Sequence, residues 1–497
     1  MSYLELLKLA APETIVVLTA LVVLTIDLTS MRGLDTRLRF VIGGMLTCAG
    51  CAAAIAWMLV MPAHANALQG MLVVDPLTQL VKIAVLALTI FTVLISIESN
   101  FTTHVGEYLA LILLATVGMM FLVSAEDILM IFVSLELISL SLYVLAAFNK
   151  RDIKSAEAAL KYFLFGGMSA AFMLFGLSLL YGLSGSTNLG QIATALAGKE
   201  LDPLLIVAIV MTVIGFGFKV AAVPFHLWAP DTYQGAPTPS AAFIASGSKV
   251  ASFFIFAKVM LLGFAGAEGS GAFHAYAAGW VPVIAIVAGL SMILGNVVAI
   301  VQSSVKRLLA YSAIAHAGYM LLAVLSHDQQ AVASLIYYAV TYGLTTIGAF
   351  GVVAVVESGA GDDKLSSFAG LSRRAPVVSL CMMIFMLSLA GIPPLAGFFG
   401  KFYVFTEAIK SGAPNLGLLW LVILAIAMSA VSLYYYLQVL KQIYVADATK
   451  GTNTQPFLVP WVTQITLAIL ALGVVLLGCF PGWLVGLIEH AITSSAL

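Results

Sequence analysis

Four ionisable side chains in this 497-residue chain lie inside apolar stretches where water should be scarce. Glu136 sits in EDILMIFVSLELISLSLYVLAAF, Lys219 in IGFGFKVAAVPF, Lys249 in ASGSKVASFFIF and Lys401 in IPPLAGFFGKFYVF. An ammonium at bilayer depth costs at least about 3 kcal/mol even on lenient insertion scales, so each needs a reason to be there. A lysine changes charge by gaining or losing a proton, and burial penalises the charged form. A row of such amines joined by water would pass protons. Metal cations would ask instead for clustered carboxylates and carbonyls. Glu136 is the one acid deep within a span, which disfavours sodium and leaves no metal site. Glu136 and Lys219 read as a coupled pair whose protonation states depend on each other; the alternative is a buried ion pair that fixes helix register. Around Lys249 the small residues Ala245, Ser246, Gly247 and Ser248 leave room for water.

Other titratable residues admit two readings each. Lys161 follows Glu157 by one turn, either a pathway group or a solvated i,i+4 contact near a helix end. His316, mid-span in YSAIAHAGYMLL, is a relay histidine or a satisfied core histidine. His226, just past Pro224, either connects Lys219 to the cytoplasmic side or bonds a carbonyl freed by the proline. Lys82 and Lys258 lie within a turn or two of span ends, where snorkelling accounts for them. Tyr434-Tyr435-Tyr436 reads as packing or an interfacial anchor.

The elements that must position these groups are membrane helices. The chain is 62% hydrophobic and 9% charged, far below the roughly 25% charge of a soluble protein. A net charge of −1 gives no sign of nucleic-acid binding. Cys48 and Cys51 form a CxxC in apolar sequence with no second pair nearby, and read as packing residues. No nucleotide-binding glycine motif sits in a strand-to-helix setting, and no cleavable signal peptide is evident. At about 20 residues per span, fourteen are expected, near 11–29, 38–61, 76–97, 107–123, 127–147, 156–182, 203–223 (continuing to 236), 239–262, 280–301, 308–326, 330–356, 375–410, 416–443 and 460–481. No soluble domain fits between them.

Of the 22 basic residues, thirteen fall in one set of alternate loops, among them Arg32, Lys150, Lys306 and Arg373, against three in the other set. By the positive-inside rule both termini lie outside the cytoplasm. Pro224 and the Pro393-Pro394 pair interrupt the seventh and twelfth spans, and SAEAALKYFLFGG (155–167) weakly echoes AVASLIYYAVTYG (331–343). Paired broken helices in two halves point to inverted repeats. The expected architecture is thus an all-α integral membrane protein with about 14 transmembrane helices, two inverted five-helix repeats and discontinuous helices 7 and 12. It forms one polytopic domain: helices 1–3 in 1–105, repeats in 106–262 and 280–445, and a last helix at 460–481.

At these breaks the sequence resembles a known family. Lys219-VAAVPFHLWAPDTYQGAPTP-Ser240 is similar to the signature of the antiporter-like membrane subunits of respiratory complex I, the NADH-quinone oxidoreductase, and SLAGIPPLAGFFGKFYVF (388–405) resembles their twelfth helix. Phe225, Leu227 and Gln234-Gly235 favour the subunit N branch over Mrp-type sodium/proton antiporter subunits, the runner-up. Lys401 stands where subunit M has glutamate, and the chain ends at Leu497 without the lateral helix of subunit L. The resemblance implies a proton-translocating translocase subunit of a bacterial plasma (inner) membrane, with Glu136 modulating Lys219, Lys249 connecting the halves and Lys401 terminal. It implies no cofactor on this chain, with FMN, iron–sulfur clusters and quinone on partner subunits. The implied partners are subunits M, K, J, A and H, and lipids.

Overall fold

The computed structural model describes residues 3–61, 64–198, 201–272, 275–411, 416–446 and 459–495. Lys199 and Lys450, two of the loop cations counted above, lie outside the described residues. Among the described residues, thirteen helices are long and apolar enough to cross a membrane. The remaining expected span, the twelfth, is divided into Pro376–Ala390 and Ala396–Ser411, each too short to cross unaided. Helix starts are written into the sequence. The side chains of Asp75, Asp127, Asp202 and Ser304 accept hydrogen bonds from backbone N–H groups of the first turn, and Pro76, Pro203 and Pro376 stand at or beside the first helical position.

The two broken spans end alike. The seventh, Pro203–Val220, stops at Ala221 in the left-handed region (φ 59°), with Ala222 N–H bonded to Gly217 O at 2.8 Å. The first half of the twelfth stops at Gly391 (φ 87°), with Ile392 N–H bonded to Leu387 O at 3.0 Å. Both are Schellman closures, which satisfy terminal carbonyls that have no helical donor. A short helix, Trp228–Gly235, continues the seventh span.

The eighth span is also interrupted, which the sequence reading did not anticipate. Thr238–Ala245 and Gly247–Lys258 meet at Ser246 (φ −119°, ψ −82°), and a π-helical turn follows at Val259–Gly263. Ser246 Oγ bonds back to Ala242 O, and such back-bonding bends helices without a proline to advertise it. A second departure is a small antiparallel hairpin, Ala65–Ala67 with Leu72–Val74, between the second and third spans.

The eighth, tenth (Val305–Val324) and eleventh (Gln329–Ala360) spans are almost wholly enclosed. The first, second, sixth, thirteenth (Leu419–Tyr444) and fourteenth (Trp461–Cys479) bury only a minority of their residues, and Leu21, Phe163, Ile423 and Leu472 are exposed there. These outward apolar faces are what a lipid solvent requires. The basic-loop end is knitted together: Val305 N–H bonds Asp363 O at 2.8 Å, and Lys306 Nζ lies 2.9 Å from Glu357. A polar cavity of about 300 Å³ opens there, lined by Asn149, Asp152, Lys154, Thr238, Lys306 and Glu357, among others.

Candidate functional site: a row of buried amines

Lys219 occupies the last turn of the seventh span and is buried, as that enclosed helix end dictates. Its Nζ donates to Ser139 Oγ on the fifth span (Ile128–Ala146), one turn beyond Glu136. Among the described residues Glu136 forms no salt bridge, and its Oε1 is buried with no hydrogen-bond partner. Lys219 thus docks one turn along the fifth span from Glu136, on a serine whose own hydroxyl donates to Leu135 O.

Lys249 stands just past the Ser246 interruption, 2% exposed, and donates to Ala313 O of the tenth span at 2.9 Å. Its Nζ lies 5.9 Å from the centre of the Tyr342 ring. Lys401, on the second half of the twelfth span, reaches back over the break. It donates to Leu389 O and Ala390 O, each at 3.0 Å, and to Ser429 Oγ at 2.9 Å. Two of those acceptors are terminal carbonyls of the preceding half-helix, the end where the helix dipole is negative. Three acceptors match the three N–H bonds of an ammonium.

Between these two amines lies a polar cluster that the sequence reading only half saw. His316 Nδ1 is 2.8 Å from Tyr338 OH, and Nε2 is 3.1 Å from Tyr436 OH, which also bonds Ser312 at 2.5 Å. The imidazole lies 5.0 Å from the Tyr342 ring and 5.7 Å from Tyr319. Tyr342 faces Lys249, while Tyr319 faces Lys401 with 5.2 Å between Nζ and ring centre. Tyr319 OH in turn meets Asn296, which accepts from Tyr435 OH at 3.0 Å. His316 is thus enclosed and bonded on both ring nitrogens, at the junction of the Lys249 and Lys401 neighbourhoods. Of the three consecutive tyrosines, only Tyr434 is exposed; Tyr435 and Tyr436 belong to this network. Their spacing on an outward-facing helix gave no sign of it.

The secondary candidates divide. Lys161 pairs with Glu157 at 2.6 Å, as the i,i+4 spacing predicts, and also with Asp231 at 2.6 Å. Asp231 holds Arg307 of the tenth span at 2.5 Å, so one carboxylate ties a first-half cation to a second-half one. His226 is buried with its ring against the Pro224 carbonyl freed at the break, as the second of its two readings had it, although Nδ1 makes no well-aligned hydrogen bond among the described residues. The snorkelling expected of Lys82 and Lys258 is overturned. Lys82 is 3% exposed and pairs with buried Glu13 at 2.6 Å; Lys258 is 1% exposed and pairs with Glu126 at 2.9 Å. Partners 69 and 132 positions away make burial affordable, and nothing in local sequence shows them.

Residues 125–429 match the family model described as NADH:quinone oxidoreductase/Mrp antiporter, TM. NADH-quinone oxidoreductase subunit N 2 of Acidobacterium capsulatum is 53% identical over 492 residues, covering 97% of this chain and 98% of the relative. Subunit N of Desulforamulus reducens is 42% identical, with 84% of each chain covered. Among solved structures, a chain of respiratory complex I from Thermus thermophilus with bound aureothin superposes with a TM-score of 0.77 at 33% identity, covering 96% of this chain and 98% of that one. A chain of the Mrp complex from Dietzia superposes at 0.80, but at 18% identity, a likeness of fold alone. This chain therefore belongs to the NADH:quinone oxidoreductase/Mrp antiporter family of multi-pass membrane proteins, within its subunit N group.

Proposed function

We propose that this chain carries protons across a bacterial plasma membrane through Glu136, Lys219, Lys249, His316 and Lys401, driven by quinone reduction elsewhere in a redox complex. The observation that carries this reading is the His316 cluster, whose aromatic rims touch the Lys249 and Lys401 sites at once. Hydroxyl, imidazole and amine groups in succession can each give and accept a proton, which a purely structural core would not need. Lys161 and His226 would serve the entrance, beside the basic loops, with both termini on the opposite, periplasmic face. The pairing of breaks after Val220 and Ala390 supports inverted repeats in 106–262 and 280–445.

Each amine would alternate between ammonium and neutral amine. A charge change at Glu136 would act on Lys219 across one helix turn, and the proton would then pass by water to Lys249 and through the His316 cluster to Lys401. Moving one charge against 100 mV costs about 2.3 kcal/mol, which a change of one to two pK units, about 1.4–2.7 kcal/mol, can match. The electron-carrying groups (FMN, iron–sulfur clusters and quinone) would sit on partner subunits, with subunits M, K, J, A and H in the membrane beside this one. The test is Lys219→Ala in the assembled complex: quinone reductase activity and vesicle acidification should both fall severalfold. Unchanged activity and acidification in an assembled variant would defeat the proposal.

A further inference from the structure

Lys258 and Glu126 have no part in the route above, yet their surroundings look built. Glu126 joins the fourth span (Val105–Ser124) to the fifth, at the end opposite the basic loop that follows Ala146. Its backbone is pinned on both sides: its N–H bonds Gly70 O at 2.7 Å and its carbonyl accepts from Leu189 N–H at 2.9 Å. So anchored, its carboxylate meets the Lys258 amine at 2.9 Å while 22% of its side chain remains open to the surface. The amine behind it is 1% exposed. A fully enclosed cation whose one charged partner reaches outside has the form of a gate between interior and exterior.

Position on the helix says which interior. Lys258 follows Lys249 by nine residues, about two and a half turns and ~14 Å. The two therefore point to opposite sides of one helix: Lys249 to the tenth span, Lys258 to the fourth–fifth connection. That is the side of the first half, where Glu136 lies ten residues, or ~15 Å, along the fifth span from Glu126. Ser124 Oγ just before this stretch, Ser134 Oγ and Glu136 Oε1 within it, and Lys258 Nζ itself are buried without a hydrogen-bond partner among the described residues, the 2.9 Å approach of Lys258 to Glu126 being an ion contact without hydrogen-bond alignment. Buried polar atoms are nearly always satisfied, so four unpartnered ones in one region mark room for water, which can bridge the amine to the carboxylate. Immediately beyond Lys258 the helix widens into the π-turn Val259–Gly263, a form concentrated at functional sites.

We infer that Lys258 and Glu126 form a proton-exchange site serving the first half, on the face opposite the basic loops. The inference rests on the proton-carrying role proposed for Glu136 and Lys219. The Lys258 ammonium gives its proton to the Glu126 carboxylate, leaving neutral amine and carboxylic acid. The acid then releases the proton to bulk water as hydronium, restoring the carboxylate. The amine regains a proton from hydronium in the water on its inner side, which becomes neutral water, so one proton has passed from inside to outside. First-half protons need not then cross to Lys401 to leave.

The experiment uses the whole complex in inverted vesicles, measuring protons pumped per NADH oxidised. Lys258→Met and Glu126→Gln should each lower that ratio by a quarter or more while electron transfer continues, and Lys258→Arg should not restore it, because guanidinium keeps its proton. Should either single variant fail to assemble, the charge-free pair K258Q/E126Q replaces it, since it leaves no lone buried charge. A normal ratio in any assembled charge-removing variant overturns the inference, as does a normal ratio in K258R. Failure of every charge-free form to assemble does so too, by assigning the pair to scaffolding. Lys401→Met in parallel separates the two proposals: a fall there with a normal ratio in K258M sinks only this site, whereas normal ratios in both sink the proton route itself.

Discussion

The cluster around His316 concentrates the chemistry at the level of single residues. Tyr436 offers one hydroxyl to both Ser312 and His316, so Tyr436→Phe leaves two buried groups short of a partner. A net loss of about 1 kcal/mol in stability is expected, together with slower pumping, read as vesicle acidification at fixed NADH oxidation. Tyr434→Phe, on the exposed neighbour, should change neither. Lys401 gives a sharper test. Replacing it by Met removes the donor that serves two terminal carbonyls and Ser429. Assembly that survives with normal acidification would mean that the amine only pins the break. A severalfold fall with Lys401→Arg inactive as well would show that a dischargeable amine is needed, not a positive charge.

Elements set where those residues can stand. The two Schellman closures use different residues, and the difference predicts opposite signs. Ala221 holds a left-handed conformation that a Cβ penalises, so Ala221→Gly should be neutral to stabilising, by up to about 1 kcal/mol once added chain entropy is offset. Gly391→Ala should destabilise by roughly 1–2 kcal/mol. Its new Cβ would also fall 3.1 Å from Lys401 Cδ and 3.4 Å from Nζ, so pumping should suffer beyond the loss of stability. Thermal unfolding of the purified complex and acidification rates together separate these effects. The fourteenth span contributes through Gly478, where a Cβ would come within 2.1 Å of Pro394 O, so that helix packs backbone to backbone on the break. Gly478→Ala should therefore disturb the twelfth span without touching any titratable group.

At the scale of the whole molecule, the Asp231–Arg307 ion pair ties the two halves, and the same carboxylate also holds Lys161 within the first half. Lys161 and Arg307 are about a third exposed, so Asp231→Asn should cost only about 1 kcal/mol or less. A much larger fall in pumping than in stability would show that the halves must be held in register to work. Ion choice belongs to this scale too. No group of three or more metal-ligating side chains occurs among the described residues. Because the proposed route runs through amines that carry protons and not metal cations, acidification should persist when sodium is replaced by choline, and a strict sodium requirement would favour the antiporter alternative.

Hydropathy alone placed the spans, because a lipid solvent demands about twenty apolar residues wherever a helix crosses. Prolines announced the breaks at Pro224 and Pro393-Pro394, and the motif around Lys219 identified the family. The depth of Lys249 and Lys401 followed from counting along a helix. What the sequence left open was which side chains meet. Lys219 docks on Ser139 rather than on Glu136, Lys82 and Lys258 are paired rather than snorkelling, and Tyr435 and Tyr436 turn inward. Ser246 bends the eighth span without any proline. Local periodicity records one helix's environment, solvent or core, residue by residue. The identity of a partner a hundred positions away depends on how helices rotate and stack, and that is settled only when the chain is packed.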